Sequence, residues 1–160
     1  MTLKKGDKIP EATLHRMGAS GPEPVTTEEL FGGKKVAFFA VPGAFTPTCS
    51  AKHVPGYLAN TDALKEKGID IIACMSVNDA FVMGAWAKDQ GTADKVEMLA
   101  DGSGVFAKAL GLEFDASKFG MGTRSQRFSM IVNDGTVEEL NIEAPGAFEV
   151  STAEHMLKQL

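Results

Sequence analysis

Cys49 closes the run Pro42-Gly43-Ala44-Phe45-Thr46-Pro47-Thr48-Cys49, whose residue types would set a thiol in the first turn of a helix. Lys34 to Val41 (KKVAFFAV) ends in a continuous apolar stretch of strand type, and Pro42-Gly43 breaks it. Thr46 then reads as an N-cap and Pro47 as the first helical residue. Threonine can cap free amides there, and proline has no amide to leave unpaired. Cys49 follows as the third helical residue, where unpaired N–H groups and the positive end of the helix dipole favour thiolate over thiol. A free cysteine can equally be a small buried hydrophobe, but these flanks read as those of a nucleophile. Thr46 can cap an amide and also touch a small ligand at the sulfur. Pro42, besides stopping the strand, would shield a thiolate from bulk water.

Other residues bear on that thiol. His53 stands four positions after Cys49 on the same helical face. That spacing allows a Cys–His pair as in cysteine hydrolases, against the plainer reading of a partly buried residue behind the site, which we adopt. A cation would stabilise the charge on a departing oxygen, and Arg124 and Arg127 are equal candidates on position alone. Cys74 lies inside the apolar run IIACM. It reads as an inert strand residue; the alternative is a thiol that resolves an oxidised Cys49, which needs α-carbons within about 7 Å. The histidines are too scattered for zinc, and no C-x-x-C pair occurs. We expect neither metal nor organic cofactor.

The elements that must position these groups follow from period and punctuation. The first thirty residues suggest a small hairpin, then a short helical turn capped by Thr26 with Glu29. A strand over 34–41 leads to a helix from about Pro47 to Lys67, ended by Gly68. Ile69–Val77 reads as a buried parallel strand and 79–90 as a helix. A strand over 96–100 and a helix over 104–110 follow. Strands 127–133 and 136–142 flank Asp134-Gly135, a strong hairpin signal. Ser151 with Glu154 has capping-box spacing before a last helix. The order is that of an α/β sheet with an antiparallel pair at its end, and ligands bind such sheets beyond the carboxyl ends of the strands.

The chain has 160 residues, a formal net charge of −5, 44% hydrophobic and 23% charged residues. That suits one domain over 1–160 with a sizeable core and argues against a nucleic-acid partner. No apolar run is long enough for a membrane span, and MTLKKGDKIP lacks a signal-peptide core. We therefore expect a cytoplasmic, reducing compartment, where a permanent disulfide does not persist.

Pro42-x-x-x-Thr46-x-x-Cys49 resembles the active-site motif of peroxiredoxins, the thiol peroxidases built on a thioredoxin-like fold. The longer string VPGAFTPTCSAKHVPGY, followed by IIACMSVND and RFSMIVNDG, is similar to the type II (atypical) class over nearly the whole chain. The resemblance implies a central mixed sheet flanked by helices, with the N-terminal hairpin as an extension. It implies an antioxidant oxidoreductase in which Cys49 attacks a peroxide and becomes a sulfenic acid. Thr46 would bind the peroxide, with Gly43 and Thr48 on the substrate side. Arg127, which opens RFSMIVNDG, matches the family's arginine, leaving Arg124 a supporting place or solvent. The family also suggests a homodimer packed through loops around the site, with Phe45 as an interface aromatic. Some type II members carry a resolving cysteine near the C-terminus; the segment APGAFEVSTAEHML here has none. With Cys74 idle, an external thiol must recycle the enzyme, glutathione with glutaredoxin first and thioredoxin second. Hydrogen peroxide and small alkyl hydroperoxides are the expected substrates. The rival readings are a cysteine hydrolase using Cys49 and His53, and a redox-sensing module without turnover.

Overall fold

The computed structural model describes residues 2–160. A hairpin of β1 (Thr13–Gly18) and β2 (Gly21–Thr26) opens the chain, followed by the short helix α1 (Thr27–Phe31). Thr26 caps α1, its hydroxyl accepting from the Glu29 amide. The central strands are β3 (Lys35–Val41), β4 (Ile71–Ser76) and β5 (Glu97–Ala100). Between β3 and β4 run a π-helical turn (Cys49–His53), α2 (Val54–Ala59) and α3 (Thr61–Glu66). Helix α4 (Ala80–Gln90) joins β4 to β5, and α5 (Val105–Leu110) follows β5. Then come β6 (Glu113–Asp115), a 3₁₀ turn (Ser117–Phe119), β7 (Thr123–Ser125), β8 (Phe128–Asn133), β9 (Thr136–Ile142) and α6 (Ala153–Gln159).

Seven strands form one mixed sheet in the order β2-β1-β5-β4-β3-β8-β9, and β6 pairs with β7 separately. The pairs β3–β4 and β4–β5 are parallel, as their doubly buried, apolar sequences require. β8 runs antiparallel to β3, with Ala40 opposite Phe128, so the beginning of β8 lies beside the carboxyl end of β3. β9 returns antiparallel through Asp134-Gly135, both at positive φ as a type I′ turn demands. Its end therefore reaches the same edge of the sheet.

The pleat of β3 divides the core. Val36, Phe38 and Ala40 face one cluster, where the Phe38 ring meets those of Phe31, Phe106 and Phe128 at 5.7, 5.9 and 6.1 Å. Ala37, Phe39 and Val41 face the other with Cys49, Tyr57, Cys74 and Trp86. Phe39 stacks on Tyr57 with ring centroids 4.0 Å apart.

Three expectations need correction. The helix expected from Pro47 to Lys67 is not continuous. Its first turn widens so that the Val54 amide donates to the Cys49 carbonyl, five residues back. Pro55, next in line, cannot donate to the Ala51 carbonyl and crowds it; the wide turn relieves that conflict. A second break falls at Asn60, whose side chain donates to the Gly56 carbonyl at 2.7 Å. The last helix is capped by Thr152, which accepts from the His155 amide, and not by Ser151. The expected order also omitted β6 and β7, three residues each.

The aromatic cluster around Phe38 gives the first prediction. Phe38→Ala should cost about 3–5 kcal/mol, the usual loss for a buried ring, read from urea unfolding. A loss below about 1 kcal/mol would mean that this face of the sheet is loosely packed.

Candidate active site

The site forms where β3 ends and β8 begins. Cys49 is fully buried, and its Sγ has two polar neighbours: the Arg127 Nη2 donates to it at 3.0 Å and the Thr46 hydroxyl lies 2.8 Å away. That hydroxyl has one proton and a second acceptor in reach, the Gly43 carbonyl at 2.7 Å. Thr46 does stand before the first helical residue, but its oxygen is turned to the sulfur. A charged sulfur would draw the hydroxyl proton to itself and so accept from both neighbours.

The loop between β3 and the helix is held from both sides. Phe45 has φ +64, a left-handed conformation uncommon for a bulky residue, which turns the chain so that Thr46 follows directly above the sulfur. The Ala44 amide donates to Asn78 Oδ1 at 3.0 Å. From the other side Arg124 donates to the Pro42 carbonyl at 3.3 Å and to the Met121 carbonyl at 3.0 Å. A Cβ at Gly43 would stand 2.8 Å from Arg124 Nη1, so only glycine leaves that arginine its place. Arg124 is thus near the site without touching the sulfur. Pro42 and Thr48, with Arg127, border a cleft of about 770 Å³, whose walls include Phe119 and Pro145.

His53 is buried and does not face the sulfur. Its Nδ1 accepts from Arg127 Nη1 at 2.7 Å, and its Nε2 donates to the Ser151 carbonyl at 3.0 Å. Both ring nitrogens are occupied, which removes the geometry of a Cys–His nucleophile pair. Burial, and then the Arg127 charge, push its pKa down to about 3. The Tyr57 hydroxyl donates to the same Ser151 carbonyl at 2.9 Å, and burial pushes that phenol up, so it stays protonated.

Cys74 sits in the middle of β4, paired in register with Phe39 and Met98. It is fully buried and unpaired, and burial pushes its thiol well above the usual range. Five contributing residues were given no part in the site by the sequence reading: Asn78, Glu143, Phe148, Ser151 and Tyr57. Asn78, inside SVND, and Tyr57, at the end of VPGAFTPTCSAKHVPGY, lay in motifs that had been singled out, and Ser151 was read only as a helix cap.

A family model described as Redoxin matches residues 4–157. Peroxiredoxin-2E, chloroplastic, of Arabidopsis thaliana is 51% identical over 163 residues, covering 99% of this chain and 70% of that protein. Peroxiredoxin-2B of the same plant is 46% identical over 156 residues, 97% of this chain and 96% of that one. Among solved structures, reduced Prx3 from Vibrio vulnificus in complex with H2O2 superposes with a TM-score of 0.95 at 52% identity, covering 99% of each chain. The fold is accordingly thioredoxin-like.

His53 supplies the second prediction. Below the ordinary histidine pKa of about 6.5 the unfolded chain binds a proton that the folded chain refuses down to about 3. Stability must therefore be lost as the pH falls through that window. Between about pH 8 and pH 5 the share due to His53 is about 2 kcal/mol. It is read as the difference in pH slope between wild type and His53→Asn in urea unfolding. Equal slopes would mean that His53 titrates normally.

Proposed function

The chain belongs to the peroxiredoxin family, thiol peroxidases of the oxidoreductase class, and from that premise we propose how its own residues reduce a peroxide. The observation that carries the proposal is the buried Cys49 sulfur between Arg127 at 3.0 Å and Thr46 at 2.8 Å. The Cys49 thiolate attacks one oxygen of R–O–O–H. An S–O bond forms as the O–O bond breaks, sulfur is oxidised to sulfenic acid, and the other oxygen leaves as RO⁻ and takes a proton to become ROH. Arg127, with the backbone amides of Thr48 and Cys49, stabilises the charge that builds on the departing oxygen. Thr46 hydrogen-bonds the peroxide, Gly43 and Thr48 border its path, and Pro42 keeps bulk water from the sulfur. Arg124 and His53 support the site from behind.

Recycling falls to an external thiol R′SH. It condenses with the sulfenic acid to give Cys49–S–S–R′ and water, and a second thiol releases Cys49 as R′S–SR′ departs. Glutathione with glutaredoxin is the reductant we propose, with thioredoxin second, because Cys74 is locked within the sheet. Hydrogen peroxide and small alkyl hydroperoxides are the substrates we propose, and the cleft of about 770 Å³ beside Arg127 supports that reading. We read residues 1–160 as one domain working in a reducing, cytoplasmic compartment, and no helix among the described residues is long and apolar enough to cross a membrane. We also read the chain as a homodimer packed through its active-site loops. Phe45 and Phe81, 52% and 67% exposed, are apolar surface that such packing would cover.

Two measurements test this reading. Arg127→Lys should lower kcat/KM for hydrogen peroxide about 100-fold, the scale of losing one fixed donor to a developing oxyanion. Wild-type kinetics in that variant would remove Arg127 from the reaction. After one equivalent of peroxide, intact mass should rise by ~16 Da, or by a glutathione adduct when glutathione is present, in wild type and Cys74→Ser alike. A loss of ~2 Da confined to wild type would make Cys74 the resolving thiol.

A further inference from the structure

We infer that Glu143 is a positioning residue for the peroxidase reaction, acting through Ser151 and His53 on the orientation of Arg127. The inference rests on the reading that Arg127 serves the Cys49 sulfur. Glu143 follows the end of β9, its own amide donating to the Arg127 carbonyl at 3.0 Å. The residue is only 7% exposed. Three donors converge on one carboxylate oxygen, Oε2: the Glu149 amide at 2.8 Å, the Ser151 amide at 2.8 Å and the Ser151 hydroxyl at 2.7 Å. All three come from one loop, so this oxygen fixes where the Ser151 carbonyl points.

That carbonyl can only accept. It takes the His53 Nε2–H at 3.0 Å and the Tyr57 hydroxyl at 2.9 Å. The proton of the imidazole must then sit on Nε2, and Nδ1 is left as a bare acceptor for Arg127 Nη1 at 2.7 Å. With the other tautomer, two N–H groups would oppose each other and the guanidinium would lose its anchor. With its Nη1 anchored, Arg127 presents Nη2 to the sulfur at 3.0 Å. The Phe148 ring, on the same loop, lies 5.7 Å from the guanidinium carbon and edge-on to His53 at 5.0 Å. A continuous path of hydrogen bonds thus leads from a buried carboxylate to the reactive sulfur. Burial pushes the Glu143 pKa up, but the hydrogen bonds from Ser151 and the loop amides outweigh it and hold the group below the usual range.

The role depends on where one oxygen stands, more than on its charge, and that separates it from ordinary electrostatic support. Glu143→Gln can offer its amide oxygen in the place of Oε2. Glu143→Asp keeps the charge but withdraws the oxygen by one methylene. We expect Glu143→Asp to lower kcat/KM for hydrogen peroxide about tenfold or more and Glu143→Gln to restore it to within about threefold of wild type. The reverse order, equal losses, or no loss in either variant would overturn the inference.

The tautomer adds a readout that simple loosening of the loop would not move, and it is visible in the wild-type protein without any variant. Long-range ¹⁵N–¹H spectra should show His53 protonated at Nε2 alone at about pH 6, and an Nδ1–H or charged ring would overturn the inference. Peroxide turnover by wild type and its loss in Arg127→Lys test the underlying reading separately. If both hold while the Glu143 series shows no difference, only the relay fails.

Discussion

A guanidinium donating at 3.0 Å to a sulfur with no exposed surface is the contact that the rest of this structure has to support. Charges in such a place attract strongly, yet taking them out of water costs several kcal/mol per ion, and the arrangement holds only if the remaining donors are satisfied in fixed geometry. Arg127 meets that condition with a neutral imidazole on Nη1 and an aromatic face near its carbon. Sequence distance is bridged by the sheet. Because β8 is antiparallel to β3, the first residue before β8 lands beside the loop that follows β3. A parallel β8 would have sent Arg127 to the opposite edge.

The same constraint explains where the backbone departs from regularity. A residue such as Phe45 in the left-handed region costs about 1–3 kcal/mol and persists only where neighbours over-determine it. Here Asn78 grips the amide before it and Arg124 the carbonyl of Pro42. The π-helical turn from Cys49 to His53 has a related effect. It lets one short segment present a sulfur to Arg127 and an imidazole to the far side of the same guanidinium, so that one arginine is held at both ends of its fork.

Much of the frame was legible in the sequence because its signals are local. The apolar runs of β3 and β4 and the Asp134-Gly135 turn each fix their own element. Thr46, Pro47 and Cys49 mark a helix start whatever surrounds them. The π turn was not legible, since an amphipathic pattern reads the same for α and π over one turn and only Pro55 hinted at conflict. β6 and β7 escaped because three-residue strands between glycines carry no period. Arg124 and Arg127 could not be ranked from residue chemistry: which of them faces the sulfur depends on strand register, and only resemblance separated them. Glu143 was invisible for a deeper reason. Its partners, Glu149 and Ser151, are near in sequence, but what they aim at, His53 and Tyr57, comes from the other half of the chain.

The two thiols share one layer of the core yet stand in unequal mechanical surroundings. Cys74 is hydrogen-bonded through its strand to β3 on one side and β5 on the other. Moving it towards Cys49 would break ladders on both flanks, the most cooperative part of an α/β sheet. Cys49 lies in the first turn of an interrupted helix, preceded by the loop that holds Phe45 at positive φ and opening a wide π-helical turn. If either thiol is to meet a partner after oxidation, the lesser rearrangement is to open that turn outward. On the proposed reading, in which the recycling thiol comes from outside the chain, the stiffness of β4 matters as much as any feature of the sulfur itself.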